Sequence, residues 1–330
     1  MPANLTPDYL AAEARFRAAE TNEDKIAALE EMYATIPKHK GTEKLQADIK
    51  SRLSKLRNKE KQAVKRGKRH DDFHVVKQGA GQIVLLGPPN SGKSSLLDRL
   101  TAAEPEVAEY PYTTRRPLPG MMEFEDIMIQ LVDAPPVTPG YGERSVIGLA
   151  RYADAVALVL DASDDALLDH IEGTVAELAK SRVVLVGERS EPGEFGEVTA
   201  ARPALVVVNK SDAPNAPGNI EALRELYGAE FVIQPVCART GEGLEELRLA
   251  LFNVLGIIRV YTKVPGKPPD MERPFTLKRG STLIEFAAAI HKDFVHSLRM
   301  AKAWGKNTLD GAQIGRDHVL EDRYVVELHA

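Results

Sequence analysis

Ile83-Val84-Leu85-Leu86-Gly87-Pro88-Pro89-Asn90-Ser91-Gly92-Lys93-Ser94-Ser95-Leu96-Leu97-Asp98-Arg99-Leu100 is the stretch that decides the fold. Four apolar residues run into a complete G-x-x-x-x-G-K-S pattern, and a helical segment with Leu96, Leu97 and Leu100 on one side follows. Strand, glycine-bearing loop and helix in that order form a phosphate-binding loop. Its glycines let backbone N–H groups approach α- and β-phosphates, and the helix N-terminus adds its dipole. Gly87, Pro88, Pro89, Asn90, Ser91, Gly92, Lys93, Ser94 and Ser95 are therefore expected to line a nucleotide. Lys93 is expected to reach the β- and γ-phosphates as the catalytic cation, and Ser94 to ligate Mg²⁺.

Downstream, short apolar runs alternate with helical segments. Ile127-Met128-Ile129-Gln130-Leu131-Val132, Ala155–Leu160, Leu205–Val208 and Phe231–Ile233 read as strands. Near-continuous apolar strands separated by helices indicate an α/β domain with a parallel sheet covered on both faces, expected over 81–257. Val183–Val186, followed by a Gly/Glu-rich loop, is either a further strand or a small insertion. From 258 to 330 the texture changes. Arg259–Val264 is strand-like, Pro265-Gly266-Lys267-Pro268-Pro269 turns the chain, and Thr282 with Glu285 forms a capping box ahead of Leu283, Phe286, Ala287 and Ile290. Tyr324–Leu328 closes a small α+β module.

Residues 1–80 read as helix followed by tether. Thr6-Pro7 suits a helix start, Ile26, Leu29, Met32, Tyr33 and Ile36 recur at helical spacing, and Pro37 ends the pattern. Leu45, Ile49, Leu53 and Leu56 mark another helix. This gives a helical hairpin whose apolar stripe needs a covering surface, then a basic linker from about 59 to 80. Between Lys38 and Arg69 there are 13 Lys/Arg and 3 Asp/Glu, a net of +10, so the remainder of a chain whose net charge is −5 carries −15. A basic block on an acidic body suits a polyanion such as RNA, although a solvated helix face has the same composition.

The base site is expected at the carboxyl ends of later strands. Asn209-Lys210-Ser211-Asp212 follows the strand ending at Val208. The Asp212 carboxylate can accept from guanine N1–H and the 2-amino group, whereas adenine offers no such donor pair. Asn209 can tie this loop to the phosphate loop, and the stem of Lys210 can cover the base. Cys237-Ala238-Arg239 follows the next strand, where backbone N–H groups can meet guanine O6. Asp133, ending the Ile127–Val132 strand, is placed to hold Mg²⁺ through water. In Tyr110-Pro111-Tyr112-Thr113-Thr114 a threonine can be the second hydroxyl ligand.

Composition narrows the remaining possibilities. The 330 residues are 43% hydrophobic and 28% charged, the range of a folded globular chain with room for two or three modules. No run of about 18 apolar residues is present, so no membrane span is expected. The first residues lack the basic and apolar regions of a signal peptide. A single cysteine, Cys237, excludes an internal disulfide. A cytoplasmic protein is expected.

Taken together, Gly87–Ser94, Thr113-Thr114, Asp133-Ala134-Pro135, Asn209–Asp212 and Cys237-Ala238 resemble a translation-factor-class GTPase of the Obg superfamily, in particular the developmentally regulated GTP-binding proteins. Ile258–Lys263 with Gly266 and Pro269-Asp270, Trp304-Gly305-Lys306, Gln313-Ile314-Gly315 and His318-Val319-Leu320 are similar to that family's C-terminal TGS module, which implies a β-grasp fold there. The N-terminal hairpin, with Lys40-Gly41-Thr42-Glu43, is similar as well. The resemblance implies that Thr114 is the switch I magnesium ligand and that Asn90 occupies the position that ligates K⁺ in potassium-stimulated members. It further implies GTP and GDP as ligands, the ribosome or other RNA as partner, and a protein regulator. The chain departs from the pattern at switch II, where D-x-P-G reads Asp133-Ala134-Pro135-Pro136 and the glycine-rich continuation is Val137-Thr138-Pro139-Gly140-Tyr141-Gly142. The missing glycine would give its N–H to the γ-phosphate, and proline has none to give. Val137 falls where Ras-like enzymes carry a water-orienting glutamine. Two readings follow: a slow Mg²⁺-dependent GTPase, or a guanine-nucleotide-binding scaffold with little or no hydrolysis. An ATPase with the same tail is disfavoured by Asp212.

Overall fold

A computed structural model describes residues 7–19, 22–37, 42, 45–56, 73, 75–101, 116–137, 144–187, 199–306 and 308–329. Tyr110–Thr114, Thr138–Gly142 and most of the basic linker lie outside the described residues. The chain divides into two compact units, Met1–His74 and Val75–Ala330.

The described residues of the first unit form three helices rather than two: α1 (Pro7–Ala18), α2 (Asn22–Thr35) and α3 (45–56). The helix expected to continue from Pro7 to Ile36 is divided into α1 and α2, which pack on each other. Tyr9 and Ala12 from α1 are buried with Leu29, Met32 and Ile36 around α2 and with Ile49 and Leu53 of α3. The apolar stripe is thus covered from within, and the exposed side of α3 carries Lys50, Arg52 and Lys55.

The second unit is built on a mixed sheet in the order β2-β3-β1-β4-β6-β5, with β7 also on β6. Its strands are β1 (Gln82–Leu86), β2 (Leu118–Phe124), β3 (Ile127–Asp133), β4 (Ala155–Asp161), β5 (Val183–Val186), β6 (Ala200–Asn209) and β7 (Ile233–Pro235). All pair in parallel except β2, which joins β3 through a tight turn at Glu125-Asp126, with Glu125 left-handed at φ 51°. The uncertain Val183–Val186 run is a true strand, paired with residues 200–203 of β6. Between the strands lie α4 (Lys93–Leu100), α5 (Arg144–Tyr152), α6 (Leu167–Lys180), α7 (Ala216–Tyr227) and α8 (Leu244–Val254).

Alternation along each strand distributes the core. Ile83, Leu85, Ala157, Val159, Leu205 and Val207 pack with Leu96, Leu97 and Leu100 of α4 and with Leu247 and Leu251 of α8. The intervening Val84, Leu86, Val156, Leu158, Val206 and Val208 are equally buried and face the other side. Burial of both faces explains the continuous apolar runs. Parallel register brings the carboxyl ends of β1, β3, β4 and β6 level, with Leu85 opposite Asp133 and Asp161 opposite Asn209. Every loop that follows these strands opens on one edge.

A second sheet, in the order β11-β10-β12-β8-β9, forms the C-terminal module. It comprises β8 (Ile257–Thr262), β9 (Phe275–Lys278), β10 (Met300–Gly305), β11 (Thr308–Ile314) and β12 (Tyr324–His329). Helix α9 (Leu283–Ile290), started by the Thr282–Glu285 capping box, lays Leu283, Phe286 and Ala287 against Ile258, Val260, Ala301, Ala303 and Val326, and a short α10 (Lys292–Ser297) follows. The module is fastened to the first sheet by Arg259, whose side chain is 3% exposed. Its guanidinium meets Glu125 and Asp126 at the β2–β3 turn and bonds Asp322 Oδ2 at 2.7 Å. It also lies over the stacked rings of Phe124 and Phe252. Tyr261 donates to Asp126, and burial followed by that bond pushes its phenol to about 12.

Candidate nucleotide-binding site

The phosphate loop needs glycine at two places, for steric reasons that the structure makes explicit. Gly87 has φ 147°, and a Cβ there would fall 2.1 Å from the carbonyl oxygen of Val159 on the neighbouring strand. Gly92 has φ 90°, and its Cβ would sit 2.1 Å from Nδ2 of Asn209. The second contact links the phosphate side of the site to the base side. Asn209 Nδ2 donates to the carbonyl of Ser91 at 3.0 Å, and Asn209 Oδ1 accepts from the amide of Ala238 at 3.0 Å. One buried side chain thus joins the loop after β1 to the loop after β7.

Lys93 is 7% exposed and folds its ammonium back over the loop, donating to the carbonyls of Gly87 at 3.2 Å and Pro88 at 2.8 Å. Burial lowers its pKa, and nearby Asp133 partly opposes this. These two carbonyls hold the charge where phosphate oxygens would take it over. Ser94, at the second position of α4, donates its hydroxyl to Asp133 Oδ2. Burial raises the pKa of the Asp133 carboxyl, against the Ser94 hydrogen bond and the charge of Lys93. Its Oδ1 is buried without a hydrogen-bond partner among the described residues. A buried carboxylate oxygen left unserved beside a serine hydroxyl suits a hard divalent cation carrying its own water, which fits Mg²⁺. Thr114, the expected second hydroxyl ligand, lies outside the described residues. Asn90 is exposed on the loop with φ 61°, and Ser95 is exposed on the first turn of α4.

Past Asp133, Ala134 N bonds Leu85 O and Val137 N bonds Gly87 O at 3.3 Å. Val137 is buried, 2% exposed, and Pro136 beside it is exposed. The start of switch II is therefore strapped to the first residue of the phosphate loop by the amide after the proline.

On the base side, Lys210 has φ 61° and its ammonium pairs with Asp161 Oδ2 at 2.5 Å. Asp212 has both oxygens engaged: Oδ1 accepts from Cys237 Sγ at 3.0 Å and Oδ2 pairs with Arg239. The Arg239 bond, then that from Cys237, holds the Asp212 carboxyl at about 2. Of the three amides expected to face O6, two already have acceptors, Glu242 O for Cys237 and Asn209 Oδ1 for Ala238. Two participants escaped the sequence reading. Asp161 ends the apolar run Ala155–Leu160 one strand from Asn209, and that adjacency was the available signal. The Arg239 side chain gave none, because an exposed arginine after a strand has no local signature.

Comparison with known proteins places these features in a lineage. Residues 82–189 match the family described as 50S ribosome-binding GTPase, and residues 258–330 match the TGS domain. The chain is 30% identical to an uncharacterized GTP-binding protein of Methanocaldococcus jannaschii, across 91% of this chain and 90% of that one. It is 27% identical to developmentally-regulated G-protein 1 of Arabidopsis thaliana, across 92% and 90%. It is 26% identical to ribosome-interacting GTPase 1 of Saccharomyces cerevisiae, across 93% and 99%. Among solved structures, the YchF GTPase of Schizosaccharomyces pombe shares the fold at 15% identity, with a TM-score of 0.53 over 77% of this chain and 99% of that one.

Proposed function

Because the chain belongs to the family of developmentally regulated GTP-binding proteins, we propose that it is a slow Mg²⁺-dependent GTPase acting on ribosomes or other RNA in translation. The observation that carries the reading is the double bond set of Asn209 to Ser91 O and from Ala238 N, which makes phosphate binding and base reading one structure. In this reading Gly87–Ser95 cradle the phosphates, Asp212 reads guanine, and Lys210 covers the base. Ser94, Asp133 and Thr114 hold Mg²⁺, which when bound neutralises charge between the β- and γ-phosphates. Lys93 gives up its two loop carbonyls for phosphate oxygens and stabilises the charge that develops on them, and Thr114 is the second residue proposed to act in catalysis. Asn90 ligates K⁺.

The ribosome enters through the name of the yeast relative, through the description of the matched GTPase family, and through the cations exposed on α3. Among the described residues no helix is long and apolar enough to cross a membrane, and the cytoplasm is the proposed location. A protein regulator is proposed to supply the positioning that Val137 lacks. A second reading, a guanine-nucleotide scaffold with little turnover, is favoured by one observation: Pro136 has no N–H, and the next amide is already bonded to Gly87 O.

The test is competition of GTP, ATP and XTP for the native chain and for Asp212→Asn in Mg²⁺. The substitution is expected to weaken GTP by about 10–150-fold, the value of one hydrogen bond to a charged group, and to favour XTP. Unchanged GTP affinity would overturn the base assignment.

A further inference from the structure

Asp212 does not wait for a base with both oxygens open, and its two partners differ in kind. Cys237 is 1% exposed, in a loop closed by Cys237 N on Glu242 O and Gly241 N on Cys237 O. Its thiol is a fixed donor to Oδ1. The Arg239 side chain is 81% exposed. Its guanidinium can leave Oδ2 without disturbing the loop, which Ala238 anchors to Asn209. One oxygen is served permanently and the other by an exchangeable cation.

Guanine brings two donors to a carboxylate, N1–H and the 2-amino group. Hypoxanthine presents the same edge without the amino group and brings one. Where the carboxylate has no other partner, the missing amino group costs one charge-assisted bond, about 10–150-fold in affinity. Arg239 alters both sides of that comparison. Guanine has to displace or share the guanidinium, whereas hypoxanthine can leave it on the oxygen that the absent amino group does not use. We infer that Arg239 is a specificity-determining residue that narrows discrimination between guanine and hypoxanthine nucleotides, so that inosine di- and triphosphates are ligands of this site beside GDP and GTP. The inference rests on the guanine reading of Asp212 given above. Adenine stays outside it, since its N1 is an acceptor facing a carboxylate.

The experiment displaces a fluorescent GDP from the full chain with GDP, IDP and ADP in one Mg²⁺ buffer, for the native protein and for Arg239→Gln. An exposed ion pair is worth up to about a fivefold factor, so the native GDP-over-IDP preference is expected to fall to about 2–30-fold and to widen by up to about fivefold in the variant. ADP is expected to compete poorly with both proteins. The same GDP-to-IDP ratio in the two proteins, with ADP still poor, would overturn the role of Arg239 and leave the guanine reading standing. ADP competing as well as GDP would overturn the guanine reading itself, and this inference with it.

Discussion

Pro136→Gly tests whether the altered switch II weakens sensing of the γ-phosphate. Glycine supplies the N–H that proline lacks, and it frees φ. A bond from that amide to a charged phosphate oxygen contributes about 1.5–3 kcal/mol. The structure sets a cost against this gain. Val137 N, one residue on, is bonded to Gly87 O at 3.3 Å and the Val137 side chain is buried, so turning the amide at 136 toward the phosphate loosens that strap. One neutral backbone bond is worth about 0.5–1.5 kcal/mol. The net is about 0–2.5 kcal/mol, centred near a tenfold gain in preference for triphosphate over diphosphate. The assay is calorimetric affinity for a non-hydrolysable GTP analogue and for GDP, native and variant, at equal Mg²⁺ and K⁺. GDP affinity is expected to stay constant, because the diphosphate offers the new amide nothing. If the native protein already prefers the triphosphate strongly and glycine adds nothing, the reasoning fails.

Two further sets of substitutions probe the frame and the partner. Arg259→Met removes a buried cation shared by Glu125, Asp126 and Asp322 and is expected to destabilise the second unit by about 3–5 kcal/mol in denaturant unfolding, whereas Glu125→Gln, on the exposed rim of the same cluster, is expected to cost about 1 kcal/mol or less; equal effects would contradict the assignment of Arg259 as the fastening residue. Lys50→Gln with Lys55→Gln leaves buried Ile49 and Leu53 in place, removes the contact of Lys50 with the Tyr33 ring, and is expected to reduce the salt slope of RNA binding by about 0.7–0.9 per lost phosphate contact. An unchanged slope would make that face a solvated surface.

How much was legible in the sequence follows from where each residue finds its partners. The β1–loop–α4 unit was readable because strand, turn and helix satisfy one another locally, and because a strand buried on both faces has no polar interruption. β2 was missed. Leu118–Phe124 is an edge strand with residues at every level of exposure, so it carries neither the continuous nor the alternating signature. The break between α1 and α2 was missed for a related reason: the helical spacing noted in this region began only at Ile26, and Tyr9 and Ala12 become a core face only when α1 packs on α2. Arg259 stands inside the apolar run Ile257–Tyr261 with no local justification. Its carboxylates lie 63 to 134 residues away in the chain, and only folding brings the β2–β3 turn and Asp322 to it.

The same distinction governs the site. Asn209, Lys210 and Asp212 were legible as a spacing because the strand end fixes their geometry. The working state of Lys210 and Asp212 is set by groups from elsewhere in the fold, Asp161 at the end of β4 and Arg239 in the loop after β7, just as Ser94 of α4 engages Asp133. In each pair a charged group that a nucleotide or its cation would engage already has a partner from the chain. Binding is then an exchange of partners rather than the filling of a vacancy, and the free energy of each exchange is the difference between two charge-assisted bonds. Residues that supply the resting partner therefore tune affinity and base preference as directly as residues that touch the ligand. The native Pro136 is the opposite case, since a proline has no N–H to offer the γ-phosphate.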